Sequence, residues 1–335
     1  MTKPKIYVSR ILAEEGLSEL RDACDVHIWQ EKELMPRDVQ FKLFADCTGL
    51  LSTTDIKVDR QLLEACPALK VVSNHAVGFD NIDVPACTAF GVPAGNTPGV
   101  LSETTADLAF TLILAAARRV LEMANWVKQD RWTPTMGQVE KLGTDVHHAT
   151  LGIFGLGSIG REVARRAAGF NMNIVYHNRK RDEQAEKEFG AVYAAKEEVL
   201  RQSDFVSLHV PLTAETRHFI AEKELKLMKP SAILVNTSRG PIVDAAALFN
   251  AIKNGEIAGA GLDVTDPEPM RGSDPLLALP QVTVLPHIGS ATRATRKKMA
   301  EMASQNLIRA LNGRPMLSCI NPESIGQGRS ASLYR

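Results

Sequence analysis

Short apolar runs alternate with helix-length segments from the start of the chain. Runs of three or four residues rich in β-branched side chains are typical of strands in a parallel sheet. We predict such strands at residues 5–8, 26–29, 49–51, 71–73 and 92–94, with helices at 13–23, 58–65 and 83–90 between them. This alternation indicates a parallel sheet with helices on its faces.

A long apolar stretch then predicts one helix over residues 102–128. Ser102 suits its N-cap, and Glu103 suits the positive end of the helix dipole. The alanine, leucine and isoleucine side chains of its middle cover nearly the whole circumference. We therefore expect it to be buried on several sides, with a second subunit as one of the surfaces that cover it. Residues 132–146 are predicted to form an irregular arm.

The alternation begins again at Thr150. Strands are predicted at residues 151–154, 174–176, 205–208, 232–236, 258–262 and 282–285, with helices such as 159–168 and 244–253 between them. A closing helix at about 292–311 is long enough to return to the first region, and the Gly-, Ser- and Arg-rich tail after Pro322 is predicted to be loose. The fold class predicted is α/β, with two doubly wound, Rossmann-like parallel sheets.

Composition excludes several classes of protein. The 335 residues include 39 Lys and Arg and 39 Asp and Glu, so the formal net charge is zero. A protein that binds nucleic acid or a membrane surface would normally show a basic excess or a charged block, so we expect neither partner. The most apolar run, residues 106–117, is too short to cross a bilayer and contains Asp107.

The chain's beginning and its cysteines suggest a compartment. No long apolar stretch follows the first lysines, so we expect no signal peptide. The five scattered cysteines lack C-x-x-C spacing, which is typical of reduced thiols in the cytosol. We predict a cytoplasmic protein without a metal site.

A glycine-rich turn opens the second region. From Gly155 it reads G-L-G-S-I-G, a G-x-G-x-x-G between a predicted strand and a predicted helix. Gly155 permits the tight turn, Gly157 lets the backbone approach a pyrophosphate, and Gly160 lets the helix pack closely on the strand. Ser158 and Ile159 lie at the helix N-terminus, where free amides and the helix dipole favour phosphate. We therefore predict a dinucleotide-binding site.

The end of the next strand bears on the choice between NAD and NADP. NAD binders normally place an acid about 20 residues after the fingerprint to hold the ribose 2′-hydroxyl. Here the chain reads Asn178, Arg179 and Lys180, and the first acid is Asp182, a predicted N-cap. No carboxylate would repel a 2′-phosphate, and both cations could bind one. We predict that NADPH is preferred and NADH also accepted; the alternative is a solvated basic turn.

Three ionisable residues follow predicted strands of this region. Arg239, Glu268 and His287 come just after the strands at 232–236, 258–262 and 282–285. Ligands of doubly wound sheets bind at the carboxyl ends of the strands, so these side chains should converge near the nicotinamide. Such a set suits reduction of a 2-oxo acid, although loop ion pairs of this kind are also often structural.

Each of the three has a distinct chemical use in that reaction. Arg239 could hold the substrate carboxylate with two hydrogen bonds and polarise the carbonyl oxygen. His287 could donate the proton as an imidazolium, and Glu268 beside it would keep that imidazolium charged.

Long motifs surround these residues. They are NTSRG at residues 236–240, AGLDVTDPEP at 260–269 and LPHIGSAT at 285–292. They resemble the D-isomer-specific 2-hydroxyacid dehydrogenase family, most nearly its glyoxylate/hydroxypyruvate reductases, and the resemblance covers nearly the whole chain. It implies reduction of a small 2-oxo acid to the D-2-hydroxy acid with NAD(P)H.

The resemblance also implies residue roles. Arg239, Glu268 and His287 would take the three catalytic roles given above. The backbone N–H groups of Val77 and Gly78 would bind the substrate carboxylate. Further cofactor contacts would come from Val210, Thr237, Ser238 and Asp263, with Asp263 near the nicotinamide carboxamide.

We therefore expect a two-domain enzyme. Residues 1–98 plus 288–335 would form the substrate domain. The resemblance implies that the C-terminal helix completes this domain. Residues 99–287 would bind the dinucleotide, and the active site would lie in the cleft between the domains. The helix and arm at about 101–146 would form a homodimer.

The sequence leaves two alternative functions open and disfavours a third. In some reductases of the resembled group, an aromatic residue from the partner's arm helps to close the active site. No such residue can be matched in residues 136–141, so the substrate size stays open and a sugar acid such as 2-ketogluconate remains an alternative substrate. A dinucleotide-sensing, corepressor-like binding protein is the second alternative, although this chain has only a short tail. Formate dehydrogenase is disfavoured, because its resemblance would call for Gln where Glu268 stands.

Overall fold

Two parallel sheets organise the chain in this computed structural model, which describes residues 3–138 and 140–334. The backbone separates into two compact units, one of residues 1–101 and 290–335 and the other of residues 102–289. One sheet has 5 strands and the other 7, and all of their strand pairs are parallel. The predicted α/β fold with two doubly wound parallel sheets is confirmed.

The regular elements are numbered in chain order. The strands are β1 (Lys5–Val8), β2 (Asp25–Ile28), β3 (Gly49–Ser52), β4 (Val71–Asn74), β5 (Ala94–Gly95), β6 (Thr150–Phe154), β7 (Asn173–His177), β8 (Val192–Tyr193), β9 (Phe205–Leu208), β10 (Ile233–Asn236), β11 (Gly259–Leu262) and β12 (Val282–Val284). The α-helices are α1 (Ser18–Ala23), α2 (Arg37–Phe44), α3 (Arg60–Ala65), α4 (Val84–Phe90), α5 (Ser102–Ala117), α6 (Val120–Lys128), α7 (Ser158–Ala168), α8 (Glu183–Phe189), α9 (Lys196–Gln202), α10 (Glu222–Leu225), α11 (Ala245–Lys253) and α12 (Arg293–Leu311).

The first unit is built on a sheet in the order β2-β1-β3-β4-β5. Successive residues of a strand point to opposite faces, so Leu50 and Leu51 enter different hydrophobic cores. Leu51 packs with Ile6 and with Leu307 of α12. The last long helix of the chain therefore fills one face of a sheet that the first residues begin.

The second unit has the strand order β12-β11-β10-β9-β6-β7-β8. The chain adds strands on one side of β6, then returns and adds β9 to β12 on the other side. The order thus reverses at β6, which is where doubly wound folds bind their ligands. Helix α5 covers one face closely, since a Cβ atom on Gly261 of β11 would lie 3.0 Å from Leu112 Cβ.

Several predicted elements need correction. The expected helix over residues 102–128 is two helices, α5 and α6, and Ser102 is the first helical residue of α5 rather than its N-cap. The expected helix over 13–23 is a 3₁₀ turn, Glu14–Gly16, followed by α1. The strand predicted at 92–94 lies at Ala94–Gly95, and the short strand β8 was missed.

A contact from the arm accounts for the break between α5 and α6. The Ala117 carbonyl, which would accept from residue 121 in a continuous helix, accepts from the Thr144 amide at 2.9 Å. A Cβ atom on the neighbouring Gly143 would lie 2.5 Å from the same oxygen, so the arm approaches closely there. Arg119 then takes a left-handed conformation with φ 52° before α6 begins.

The tail after Pro322 is packed rather than loose. It forms two 3₁₀ turns, Pro322–Ser324 and Gly328–Ser332, and Ser330 is fully buried. The Arg329 guanidinium donates to the Cys66 and Leu63 carbonyls at 3.0 and 2.8 Å, at the end of α3. The prediction was wrong because Gly328 permits a close backbone contact instead of making the tail flexible. A Cβ atom on Gly328 would lie 2.6 Å from the Phe90 carbonyl oxygen.

Within the described residues, none of the helices has the length and apolar character that a membrane crossing requires.

Candidate active site

Three neighbouring strands of the second unit deliver the ionisable residues. Strands β10, β11 and β12 are adjacent and parallel, so their carboxyl ends share one edge of the sheet. Arg239 follows β10, Glu268 follows β11, and His287 follows β12. The sequence prediction placed them in this relation to the strands because short apolar strands and Pro- or Gly-rich loops alternate clearly there.

His287 and Glu268 form a close pair. The His287 Nδ1 atom donates to Glu268 Oε1 at 2.5 Å. Burial by itself raises the pKa of Glu268, but the hydrogen bond and the charge of His287, the Thr265 amide and the charge of Arg239 outweigh it. The pKa of Glu268 is therefore held below its usual value, and this carboxylate stays ionised beside the imidazole.

Backbone contact ties the Arg239 loop to the Glu268 loop. A Cβ atom on Gly240 would lie 1.9 Å from the Thr265 carbonyl oxygen, so only glycine permits this approach. The Asn236 side chain donates from Nδ2 to the Arg239 carbonyl at 2.8 Å, and the Arg239 guanidinium donates to the Ser238 carbonyl at 2.8 Å. The guanidinium is therefore held near Glu268, whose pKa it helps to lower.

Asp263 holds the loop that carries His287. Its two carboxylate oxygens accept from the Ile288 and Gly289 amides at 2.8 and 2.7 Å, and its carbonyl accepts from the His287 amide at 2.9 Å. Burial raises the pKa of Asp263 although those amides oppose the shift. The resemblance implied only a cofactor contact for Asp263, and sequence reasoning missed this structural role. Its position directly after β11 was the available signal.

The glycine turn has the shape that a pyrophosphate needs. Gly155 has φ 93°, and a Cβ atom on Gly160 would lie 2.3 Å from the Gly155 carbonyl oxygen. A Cβ atom on Gly157 would meet nothing within 4 Å, so the space beside it is open. Helix α7 begins with Ser158 and Ile159. No side chain caps its N-terminus, and its first turn contains no acidic residue. Its amides therefore remain available to an anion.

The side chains after β7 carry no acid at the expected ribose position. Asn178 Oδ1 accepts from the Leu156 amide at 2.7 Å, and its carbonyl accepts from the Tyr193 hydroxyl at 3.2 Å. Arg179 and Lys180 are both exposed. The next acid, Asp182, caps α8 by accepting from the Ala185 amide at 3.0 Å, which confirms its predicted N-cap role.

Val210, a further cofactor candidate, lies beside the turn, since a Cβ atom on Gly155 would lie 2.9 Å from its amide nitrogen. Ser238 Oγ donates to the Val210 carbonyl. Thr237 Oγ1 is buried and has no hydrogen-bond partner within the described part of the chain. Buried hydroxyls are rarely left unpaired, so Thr237 indicates a missing partner. The open space at Gly157, the free amides of α7 and this hydroxyl together fit a dinucleotide.

Val77 and Gly78, the predicted substrate contacts, belong to the first unit. They lie in the loop that follows β4 and are half-buried. Their carbonyls accept from Asn96 Nδ2 and Asn74 Nδ2, whereas their amides donate to no protein group within the described residues.

Other titratable groups do not resemble catalytic ones. Burial lowers the pKa of His75 and of His209 to about 4, and His209 Nε2 is 2.8 Å from Ser207 Oγ. Burial raises the pKa of the Cys24 and Cys66 thiols to about 11 and of the Cys47 and Cys87 thiols to about 12. Among the described residues, no group of three or more His, Cys, Asp or Glu side chains could hold a metal ion.

Comparison with known proteins gives consistent matches. Residues 110–289 match the NAD binding domain of D-isomer specific 2-hydroxyacid dehydrogenases. Glyoxylate reductase from Korarchaeum cryptofilum is 47% identical over 323 residues, which cover 96% of this chain and 97% of that protein. The structure of a glyoxylate reductase from Paecilomyes thermophila is 35% identical with a TM-score of 0.85, and covers 96% of this chain and 99% of that one.

A further structure is an NADPH-dependent glyoxylate/hydroxypyruvate reductase from Sinorhizobium meliloti in complex with NADP and malonate. It is 32% identical with a TM-score of 0.83, and the match covers 96% of this chain and 98% of that one.

Proposed function

This chain belongs to the D-isomer-specific 2-hydroxyacid dehydrogenase family, and we propose that it reduces glyoxylate or hydroxypyruvate to the D-2-hydroxy acid with NADPH as the preferred donor. It is an NAD(P)-dependent oxidoreductase of 2-oxo acids. The observation that carries the proposal is the 2.5 Å hydrogen bond between His287 and Glu268, together with the close contact between the Glu268 loop and the Arg239 loop.

The chain's own residues supply binding and proton transfer. When bound, the reduced nicotinamide supplies a hydride for the substrate's carbonyl carbon. Arg239 binds the substrate carboxylate and stabilises negative charge on the carbonyl oxygen. The His287 Nδ1 atom is engaged by Glu268, so its Nε2 atom is the one that donates the proton to that oxygen. Glu268 stabilises the imidazolium before the transfer.

The preference for NADPH rests on the residues after β7. Asn178 stands where NAD binders place an acid, and its Oδ1 atom is already used by the Leu156 amide. Arg179 and Lys180 lie beside it and are exposed, so they are free to approach a 2′-phosphate. NADH would bind with the same fingerprint but without this attraction.

We also propose a homodimer in the cytoplasm. None of the residues of α6 is buried, and Val120, Leu121 and Val127 are exposed apolar side chains on it. A second copy of the chain would cover them. All five cysteines are free thiols, which suits a reducing compartment.

Steady-state turnover tests the proposal. Glyoxylate, hydroxypyruvate and 2-ketogluconate would each be assayed with NADPH and with NADH, and chiral chromatography would assign the product's handedness. We expect the highest kcat/KM with glyoxylate or hydroxypyruvate and NADPH, and a D product where the product is chiral. Preference for 2-ketogluconate would replace the substrate assignment, and tight dinucleotide binding without any turnover would favour the binding-protein alternative.

A further inference from the structure

In the loop after β4, residues 76–79, the first two carbonyl groups are held by one neighbouring segment. The Ala76 carbonyl accepts from the Thr97 amide at 2.9 Å. The Val77 carbonyl accepts from Asn96 Nδ2 at 2.8 Å. Both donors come from the segment that follows β5, within the same unit.

These bonds determine where the loop amides point. In a planar trans peptide, the carbonyl of one residue and the amide of the next point in opposite directions. Holding the Ala76 carbonyl therefore fixes the Val77 amide, and holding the Val77 carbonyl fixes the Gly78 amide. Within the described residues, neither amide donates to any protein group. Backbone amides in partly buried places are seldom left unpaired, so this pair is suited to an external anion.

Asn96 is itself held firmly by the C-terminal part of the chain. Its Oδ1 atom accepts from Ser318 Oγ at 2.6 Å, so its Nδ2 atom is left for Val77. Its carbonyl accepts from Asn306 Nδ2 at 3.0 Å, and Asn306 Oδ1 accepts from the Ser318 amide at 3.1 Å. Asn96 and Asn306 are both buried. The side chain therefore has one orientation and one role available.

We propose that Asn96 is a positioning residue for substrate recognition, which aims the Gly78 amide at the substrate carboxylate by holding the Val77 carbonyl. The proposal rests on the proposed function, because the carboxylate is that of the 2-oxo acid. Asn96 itself does not touch the substrate. Asn96 acts by orienting the peptide plane between Val77 and Gly78. Asn96 is itself held by hydrogen bonds from Asn306 of α12 and from Ser318 after that helix.

Two variants of Asn96 and one control test this role. Asn96→Ala removes the donor, and Asn96→Asp keeps the shape but places an oxygen against the Val77 carbonyl. Asn321→Ala is the matched control. Asn321 is also fully buried in the first unit, and its side chain donates to the Val92 carbonyl at 3.1 Å and accepts from the Ala94 amide at 2.8 Å.

The measurement must separate recognition of the carboxylate from general damage. For both Asn96 variants we expect KM for glyoxylate to rise about tenfold, as for loss of one hydrogen bond to a charged group, with KM for NADPH unchanged. The ratio of kcat/KM for glyoxylate to that for neutral methyl glyoxylate should fall by a similar factor. Asn321→Ala should lower Tm but leave this ratio as in the wild type. An unchanged ratio in both Asn96 variants would overturn the proposal.

Binding without turnover keeps this test apart from the test of function. Calorimetric titration of each holoenzyme with oxalate measures the anion site directly. We expect about tenfold weaker binding in both Asn96 variants and unchanged binding in Asn321→Ala. Equal oxalate affinity in all proteins, or no oxalate binding to the wild type, contradicts the role of Asn96. Lack of 2-oxo acid turnover by a wild type that binds oxalate contradicts only the proposed function.

Discussion

At the scale of single residues, the glycines at the junction of β6 and α7 have different functions. The space beside Gly157 is open, whereas Gly160 lies against the Gly155 carbonyl. One glycine thus keeps room for a ligand, and the other lets a helix pack on a strand.

This difference predicts opposite outcomes for two alanine variants. Gly157→Ala should leave Tm unchanged and raise KM for the cofactor at least tenfold, because the new methyl group occupies the approach to the pyrophosphate. Gly160→Ala should lower the free energy of unfolding by about 1–3 kcal/mol, because its Cβ atom clashes with backbone. Thermal unfolding and cofactor titration check both. A Gly157→Ala protein that binds cofactor normally would contradict the phosphate site.

Arg179 is expected to select the cofactor. Arg179→Asp would place an acid next to the ribose position and remove a cation, so the ratio of kcat/KM for NADPH to that for NADH should fall at least tenfold. Lys187→Asp, an exposed charge reversal in α8, is the control and should leave the ratio unchanged. If the ratio is the same in Arg179→Asp, the residue does not contact the 2′-phosphate.

His287 and Glu268 are expected to act as a proton-donating pair. His287→Ala should lower kcat by about 10²–10⁴, the range for losing a general acid, with little change in Tm. Glu268→Gln removes the carboxylate that accepts from His287 Nδ1, so kcat should also fall while KM for NADPH stays the same. Steady-state kinetics measure both constants, and an unchanged kcat would exclude the pairing from the mechanism.

Sequence reasoning could propose Arg239, Glu268 and His287 because charged residues in Pro- and Gly-marked loops are visible in the chain itself. It could not assign structural work to Asp263 or Asn96. Those roles depend on which distant backbone amide or carbonyl lies beside the side chain, and that follows only from the folded loops. The catalytic and binding roles themselves stay predictions until they are measured.

At the scale of elements, most buried strands were predicted within one residue, whereas the single helix expected over residues 102–128 was wrong. β9 has the predicted bounds, and β6 and β10 differ from them by one residue, because continuous apolar runs between turn residues leave little choice. The break at Arg119 carries no local signal. It results from a distant contact, because the Thr144 amide donates to the Ala117 carbonyl that would otherwise continue the helix.

The packed tail is expected to stabilise the first unit. Arg329→Ala removes two hydrogen bonds to the end of α3 and leaves those carbonyls unpaired, so the free energy of unfolding should fall by about 1–3 kcal/mol. Arg314→Ala, at an exposed position just after α12, is the control and should have little effect. Denaturant unfolding gives the comparison, and equal stability of the two variants would show that the tail contact is not stabilising.

At the scale of the whole molecule, the apolar surface of α6 is expected to form a subunit interface. Wild-type protein should have about twice the 36.5 kDa chain mass in light scattering, as closed two-fold dimers are the commonest assembly. Val127→Glu should shift it toward the monomer because it places a charge in the apolar contact. Leu317→Glu, at a similarly exposed site in the first unit, is the control. A monomeric wild type would contradict the dimer.

The fold class and the return of the last helix could both be predicted at this scale. Alternating strands and helices permit few arrangements other than parallel sheets, and α12 is too long to be a simple connection. The strand order within each sheet could not be predicted, because nothing in the periodicity says on which side of β6 the chain places β9.

The closure of the first sheet by α12 has a consequence for how the protein is made. Ile6 and Leu51 leave the ribosome early, but Leu307, which covers them, is among the last residues to emerge. The unit formed by residues 102–289 has all of its strands before then and can fold while translation continues. We therefore expect the amino-terminal sheet to keep one apolar face uncovered until synthesis is nearly finished, which would expose nascent chains to aggregation through that face.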